Sequence, residues 1–101
     1  YPKNEWEKLA EKLSNLPISD TKARAFSRMM LAGAMELEFD KQGRVLLPGY
    51  LRTYANLKSK AIVAGLYNRI EIWNEKSWGE YKESSEANTE EISEHLSGLG
   101  I

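Results

Sequence analysis

The chain has 101 residues, of which 42% are hydrophobic and 29% are charged, as is typical of a small globular domain. It contains no cysteine, which excludes a disulfide framework and a thiolate metal site and fits a reducing compartment. No apolar run approaches the length of a membrane-spanning helix, and no signal peptide is visible.

The formal net charge is −1, but the charges are distributed unevenly along the chain. Residues 1–73 carry twelve Lys or Arg and eight Asp or Glu, a balance of +4. Residues 74–101 carry two Lys and seven Glu, a balance of −5. Because surface charges farther apart than about 10 Å act nearly independently at moderate salt, we expect a basic body with an acidic tail.

The N-terminal third predicts two helices that form a helical hairpin. Residues 4–16 repeat apolar side chains every three or four positions, as an amphipathic helix does, and Pro17 ends that run. Ser19 or Asp20 can cap a second helix, which Gly33 ends.

From residue 34 the hydrophobic period changes from 3.6 to 2, which indicates strands. Residues 34–39 alternate apolar and acidic side chains, and residues 44–47 follow as a second strand after the loop 40–43. Pro48 can begin a short helix that reaches about Ala55, because the missing N–H of proline is harmless in a first helical turn.

A second pair of strands follows. Residues 61–66, AIVAGL, are apolar on both faces and predict a buried strand, and residues 70–73 return as its partner after a turn. Asn74 can cap a helix that holds Trp78 and Tyr81.

The pattern as a whole predicts an α+β chain in three parts. Residues 1–33 form the N-terminal αα-hairpin, and residues 34–81 form a β unit with short helices. Residues 82–101 read as an acidic, flexible tail with one short helix that contains Ile92 and Leu96.

The residues give little support for an enzyme. The single histidine, His95, lies in the acidic tail, so no Ser–His pair can form in the body. Glu36 and Glu38 share one strand face and could act as paired carboxylates, although a solvated or salt-bridged face is the favoured interpretation. Because there is no phosphate-binding glycine loop and no metal-ligand cluster, we predict no enzyme, no cofactor and no metal.

Basic side chains cluster in two places that could contact nucleic acid. Arg24 and Arg28 lie one helical turn apart. The second group surrounds the predicted strand–helix unit and consists of Arg44, Arg52, Lys58 and Lys60. Guanidinium groups suit phosphates and guanine edges because their donors form a planar fork. The alternative is ordinary solubilising charge, with Arg24 and Arg28 paired to Glu on the neighbouring helix.

The loop within EFDKQGRVLLP is more specific than the basic clusters. Asp40, at the first position of a turn, can accept backbone N–H bonds, and Gly43 supplies a positive φ that a side chain would disfavour. Arg44 then leaves the turn in a fixed direction. Asp40 could pair with the Arg44 guanidinium, either to present it to a ligand or as a purely structural brace.

Two segments of this sequence closely resemble the MraZ family, bacterial transcriptional regulators of the division and cell-wall gene cluster. They are DKQGRVLLPGYLR, Asp40 to Arg52, and GLYNRIEIW, Gly65 to Trp73. The start YPKNEWEKL and the helical SRMMLAGA are also like that family, so the resemblance covers residues 1–81.

The resemblance implies an AbrB-like swapped-hairpin β-barrel whose loops face double-stranded DNA. It also implies a ring-like homo-oligomer that binds repeated DNA sites, and a cytoplasmic, nucleoid-associated protein with no membrane or small-molecule partner. The residues that it places at the DNA are Asp40, Lys41, Gly43 and Arg44, with Arg52 as a further candidate.

The family pattern carries two copies of the Asp-x-x-Gly-Arg unit, whereas this sequence carries one. We therefore expect it to correspond to the C-terminal portion of the family, with half of the barrel. An unpaired half-barrel exposes strand edges and an apolar face, which favours association with another chain. The alternative function is thus an oligomerisation module that assembles the regulator and needs the N-terminal half for DNA recognition.

Overall fold

The computed structural model describes residues 1–101 and contains five helices and one two-stranded sheet. In chain order the elements are α1 (Lys3–Ser14), α2 (Thr21–Gly33), α3 (Gly49–Tyr54), β1 (Ala61–Gly65), β2 (Ile70–Asn74), α4 (Glu75–Ala87) and α5 (Thr89–Gly98). The predicted α+β class is confirmed, while the swapped-hairpin barrel stays a prediction. None of the five helices combines the length and the apolar character needed to span a membrane.

The chain divides into two compact units. The first consists of Tyr1–Pro48 with Gly65–Ile70, and the second of Gly49–Ala64 with Glu71–Ile101. The predicted division after residues 33 and 81 rests on sequence pattern and stays a prediction.

The first unit is built on the packing of α1 against α2. The Asp20 carboxylate accepts a hydrogen bond from the Ala23 backbone N–H at 3.0 Å, which confirms it as the cap of α2. Leu13, at 5% exposure, is the only buried residue of the chain. The Ser27 hydroxyl of α2 donates to the Leu13 carbonyl at 2.9 Å, so a hydrogen bond joins the two helices beside this buried side chain.

The predicted strands at 34–39 and 44–47 are wrong, because neither segment takes part in a sheet. A backbone hydrogen bond from Asp40 N–H to the Arg44 carbonyl, at 2.8 Å, closes the loop between them, but no ladder extends from it. An isolated two-stranded hairpin is marginal in water, since its side chains have nothing to pack on. Phe39 accordingly stays 71% exposed and Leu46 stays 80% exposed.

β1 and β2 form the sheet, and the prediction of a buried β1 is wrong. Its residues alternate between exposed and half-buried, and Val63 is 67% exposed. An antiparallel sheet commonly leaves one face in water, and the apolar side chains on that face then stay exposed.

The start of α4 is fixed by Asn74, as predicted. Its side-chain oxygen accepts from Ser77 N–H at 2.9 Å, and its amide nitrogen donates to the Asn56 carbonyl at 2.7 Å. Trp73, Trp78 and Tyr81 then form an aromatic cluster with ring centroids 5.1 to 6.3 Å apart.

Helix extends farther into the C-terminal region than the polar composition predicted. α4 continues to Ala87, and α5 covers Thr89–Gly98, which includes the predicted short helix around Ile92 and Leu96. The predicted flexibility of residues 82–101 stays a prediction.

Replacing Leu13 with Ala should lower the free energy of unfolding by about 2–4 kcal/mol, because the change leaves a cavity between α1 and α2. Urea titration followed by circular dichroism measures this loss. Ile18→Ala is the matched control, since Ile18 is 80% exposed and its truncation should change the stability by less than about 0.5 kcal/mol. Equal effects of the two substitutions would contradict the placement of the core at Leu13.

Candidate nucleic-acid interface

The loop at residues 40–44 is held by one carboxylate. Asp40 Oδ1 accepts hydrogen bonds from the backbone N–H groups of Gln42, at 2.8 Å, and Arg44, at 2.9 Å. The Asp40 carbonyl accepts from Gly43 N–H at 3.1 Å, and Asp40 N–H donates to the Arg44 carbonyl. Four hydrogen bonds thus close a five-residue loop, and Asp40 is a partner in each of them.

Gly43 gives the loop its shape, as predicted. Its φ is +78°, a conformation that residues with a Cβ rarely adopt. No heavy atom lies within 4 Å of a Cβ built at this position, so the requirement for glycine is conformational and not a matter of space.

The predicted pairing of Asp40 with the Arg44 guanidinium is wrong. The Asp40 carboxylate is directed to the loop backbone instead, where it accepts from two N–H groups. Arg44 is exposed, and its guanidinium makes no hydrogen bond within the chain. The structure therefore presents a fixed backbone position that carries a guanidinium with all its donors available to a ligand.

The structure brings four of the five predicted site residues together in this loop: Asp40, Lys41, Gly43 and Arg44. Lys41, at the turn, is exposed and unpaired, so the loop carries two free cationic groups. Arg52 lies elsewhere, in the last turn of α3 in the second unit. There its positive charge also counters the negative end of a helix dipole, which is a local structural reason for a cation at this position.

The predicted ion pairs of Arg24 and Arg28 with glutamates of the neighbouring helix are also wrong. Neither arginine forms an ion pair. Arg28 is exposed, whereas Arg24 is half-buried and its Nε has no hydrogen-bond partner. α2 is therefore a helix whose cations are not neutralised within the chain.

One of the two carboxylates considered for acid–base chemistry, Glu36, has a structural explanation. Glu36 Oε1 lies 3.4 Å from Lys3 Nζ, and both side chains are well exposed, which confirms a salt-bridged surface at Glu36. Two surface depressions, one lined by residues of α1 and Asn15 and one by residues of the α4–α5 connection, include neither Glu36 nor Glu38.

Sequence reasoning did not single out the two apolar side chains beside the loop. Phe39 immediately precedes Asp40, and Leu46 lies two positions after Arg44; both are largely exposed. The signal was present in the alternating pattern, but alternation indicates an apolar face without showing what covers it.

The family can be decided by comparison with known proteins. A family model described as "MraZ protein, putative antitoxin-like" matches residues 30–99. The chain belongs to the MraZ family. It is 50% identical over 101 residues to a protein of Halothermothrix orenii named "Transcriptional regulator MraZ", covering 100% of this chain and 71% of that protein.

Other MraZ relatives give the same result. Proteins of Natranaerobius thermophilus and Caldanaerobacter subterraneus subsp. tengcongensis, also named "Transcriptional regulator MraZ", are 47% and 46% identical over 101 residues, and the chain again covers 71% of each. No solved structure was found to match the chain. The match of the family model includes the whole of the 40–44 loop, and no enzyme family appears among these relatives.

Asp40→Ala should loosen the MraZ-family loop, because it removes the acceptor for the Gln42 and Arg44 amides. We expect faster hydrogen exchange at these two amides, by roughly tenfold, measured by NMR. Asp40→Asn is the control, since its side-chain oxygen still accepts and only the charge is lost. Unchanged exchange in the alanine variant would contradict the role of Asp40 as the organiser of the loop.

Proposed function

We propose that this chain is a sequence-specific DNA-binding transcriptional regulator of the bacterial division and cell-wall gene cluster. It acts as a cytoplasmic, nucleoid-associated homo-oligomer on repeated DNA sites. The proposal rests on the Arg44 guanidinium. This group is exposed and unpaired, and Asp40 and Gly43 fix the backbone of the loop that carries it. The names of the MraZ relatives support a regulator of transcription.

The loop has the chemistry of a DNA contact. A guanidinium can donate two parallel hydrogen bonds to O6 and N7 of guanine or to a phosphate, and a bidentate base contact contributes about 1–3 kcal/mol of discrimination. Since Asp40 is engaged with backbone amides, it positions the contact without neutralising the arginine. Lys41 adds a second cation that can approach the phosphate backbone.

A single loop of this kind binds weakly, so oligomerisation is part of the proposal. With two free cationic groups per loop, one copy neutralises few phosphates. Several loops on one assembly that engage repeated sites raise the affinity through effective concentration, without any new type of contact. Arg52 is a further candidate contact, and its positive charge adds to the electrostatic attraction for the phosphate backbone.

Arg44→Ala should abolish specific binding to operator-like DNA and leave the oligomer intact. A loss of about 1–3 kcal/mol at each loop is multiplied by the number of loops engaged, so we expect a decrease in affinity of at least 100-fold. Fluorescence anisotropy with repeat-containing DNA measures the affinity, and light scattering measures the assembly.

Two further variants make this test specific. Arg44→Lys keeps the charge and loses the planar fork, so it should retain nonspecific binding and lose discrimination between the repeat and scrambled DNA. Lys12→Ala, an exposed cation on α1, should leave both measurements unchanged. Undiminished specific affinity of Arg44→Ala would refute the assignment of the loop.

The exposed apolar side chains around the loop favour a second candidate function, that of an assembly module. Phe39 and Leu46 flank a loop that has no sheet partner, and each gains roughly 1.5–3 kcal/mol if another chain covers it. In this case the chain mainly builds the oligomer, and DNA recognition needs further copies of the loop from the N-terminal half of the family pattern.

The wild-type chain should therefore be oligomeric at micromolar concentration, and Leu46→Asp should shift it toward monomer by placing a charge on the surface to be covered. Light scattering over a concentration series detects the shift. Ile18→Asp is the matched control, because Ile18 is also 80% exposed but lies in the turn between α1 and α2. A strictly monomeric wild-type chain would count against both the assembly module and the oligomeric regulator.

A further inference from the structure

The tip of the 40–44 loop carries only two side chains. A hydrogen bond from the Asp40 N–H to the Arg44 carbonyl, at 2.8 Å, closes the loop. Between these two residues lie Lys41, Gln42 and Gly43, and the glycine has no side chain. The Gly43 N–H donates to the Asp40 carbonyl at 3.1 Å and the φ of Gln42 is not positive, so the turn fits type I and excludes type II. A type I turn followed by a left-handed residue is a common three-residue loop.

The fold of the loop does not require a glutamine at position 42. Gln42 is exposed, and its side-chain amide makes no hydrogen bond within the chain. Only its backbone N–H is engaged, as a donor to Asp40 Oδ1. A type I turn accepts most residues, and the residues that favour turns are Gly, Pro, Asn, Asp and Ser. The side chain therefore has two N–H donors and one carbonyl acceptor available to a ligand.

One atom holds the glutamine and the arginine of the loop in a fixed relation. Asp40 Oδ1 accepts from the Gln42 N–H at 2.8 Å and from the Arg44 N–H at 2.9 Å. Because two residues of extended chain span at most about 7 Å, the backbones of Gln42 and Arg44 lie within about 7 Å of each other. This length corresponds to about two base-pair steps of about 3.4 Å along DNA. A neutral amide and a guanidinium, both free of partners, can thus approach neighbouring base pairs together.

We infer that Gln42 is a specificity-determining residue of the loop and recognises the major-groove edge of an adenine. This adenine lies within two base pairs of the guanine that Arg44 contacts. A glutamine amide donates to adenine N7 and accepts from the N6 amino group, and this pair of groups distinguishes adenine from the other bases. The major groove is about 12 Å wide and admits a two-stranded ribbon, so a three-residue tip can enter it. The inference rests on the proposed binding of DNA by this loop and deepens it.

The side chains of the loop then contribute to binding in different ways. Lys41 is a cation that neutralises phosphate, and its contribution falls with salt because binding releases counterions. Gln42 carries no charge and releases none. A change at Gln42 should therefore alter which sequence is bound without altering the salt dependence, whereas a change at Lys41 should do the opposite.

Selection by the full chain from a pool of duplexes with a randomised centre tests the inference. The wild-type chain should select an A·T pair within two base pairs of the G·C pair that Arg44→Lys no longer selects. Gln42→Ala should reduce the preference for that adenine by roughly fivefold or more, as expected for the loss of one bidentate contact. Gln42→Glu should select cytosine in its place, because a carboxylate accepts from cytosine N4. A misfolded variant cannot acquire a new preference, so this variant also guards against misfolding.

Lys41→Ala is the matched control at the neighbouring position. It should lower the affinity for every selected duplex and reduce the slope of log affinity against log salt by about 1 per loop, while the base preference stays unchanged. Lys41→Ala and Gln42→Ala both keep the backbone N–H groups that bind Asp40. Hydrogen exchange at the amides of residues 42 and 44 should therefore stay at the wild-type rate in both.

The outcomes separate a failure of this inference from a failure of the proposed function. If the wild-type chain selects a sequence and Gln42→Ala keeps the same preference at every position, the inference is overturned and DNA binding by the loop stands. A uniform loss of affinity in Gln42→Ala with unchanged base preference would assign Gln42 to the phosphate backbone and also overturn it. If the wild-type chain enriches no sequence, the proposed function fails and the inference fails with it.

Discussion

The contact between α1 and α2 is the one place where the chain buries a side chain almost completely. Leu13 is buried there, and the Ser27 hydroxyl satisfies the Leu13 carbonyl at the same point. Elsewhere large apolar residues remain exposed, including Phe39, Leu46 and Val63. Since apolar burial is the main favourable contribution to folding, a chain with so little of it has much to gain from covering these residues with protein.

The loop at residues 40–44 is independent of that constraint. Its geometry depends on a carboxylate, four hydrogen bonds and one glycine in the left-handed region, all within five residues. Such a loop does not need a core or a second chain to keep its shape. Assembly and presentation of Arg44 are therefore separable properties, and in the proposed regulator the first multiplies the second.

Features that depend on neighbouring residues were predictable from the sequence, and features that depend on distant partners were not. The caps Asp20 and Asn74, the helices that they begin and the positive φ of Gly43 were predictable because each depends on a few neighbouring residues. The strands predicted at 34–39 and 44–47 do not form. An alternating pattern shows which face of a segment is apolar, but a strand exists only when a partner strand completes its hydrogen-bond ladder.

The role of Asp40 shows a further limit to prediction from sequence. The sequence placed an acid four residues before an arginine, and this spacing allows the carboxylate to bond either to the guanidinium or to the backbone amides. The structure has the second arrangement, in which two N–H donors converge on Oδ1. The residue type was thus predictable and its partner was not, and the difference matters because a guanidinium neutralised by its own loop would be a poorer ligand for phosphate.

The separation of charge also bears on the proposed binding of DNA. Seven glutamates in residues 74–101 would repel a phosphate backbone if they lay beside the Arg44 loop. In the proposed regulator, the salt dependence of DNA binding would come from Lys41, Arg44 and Arg52 on each copy.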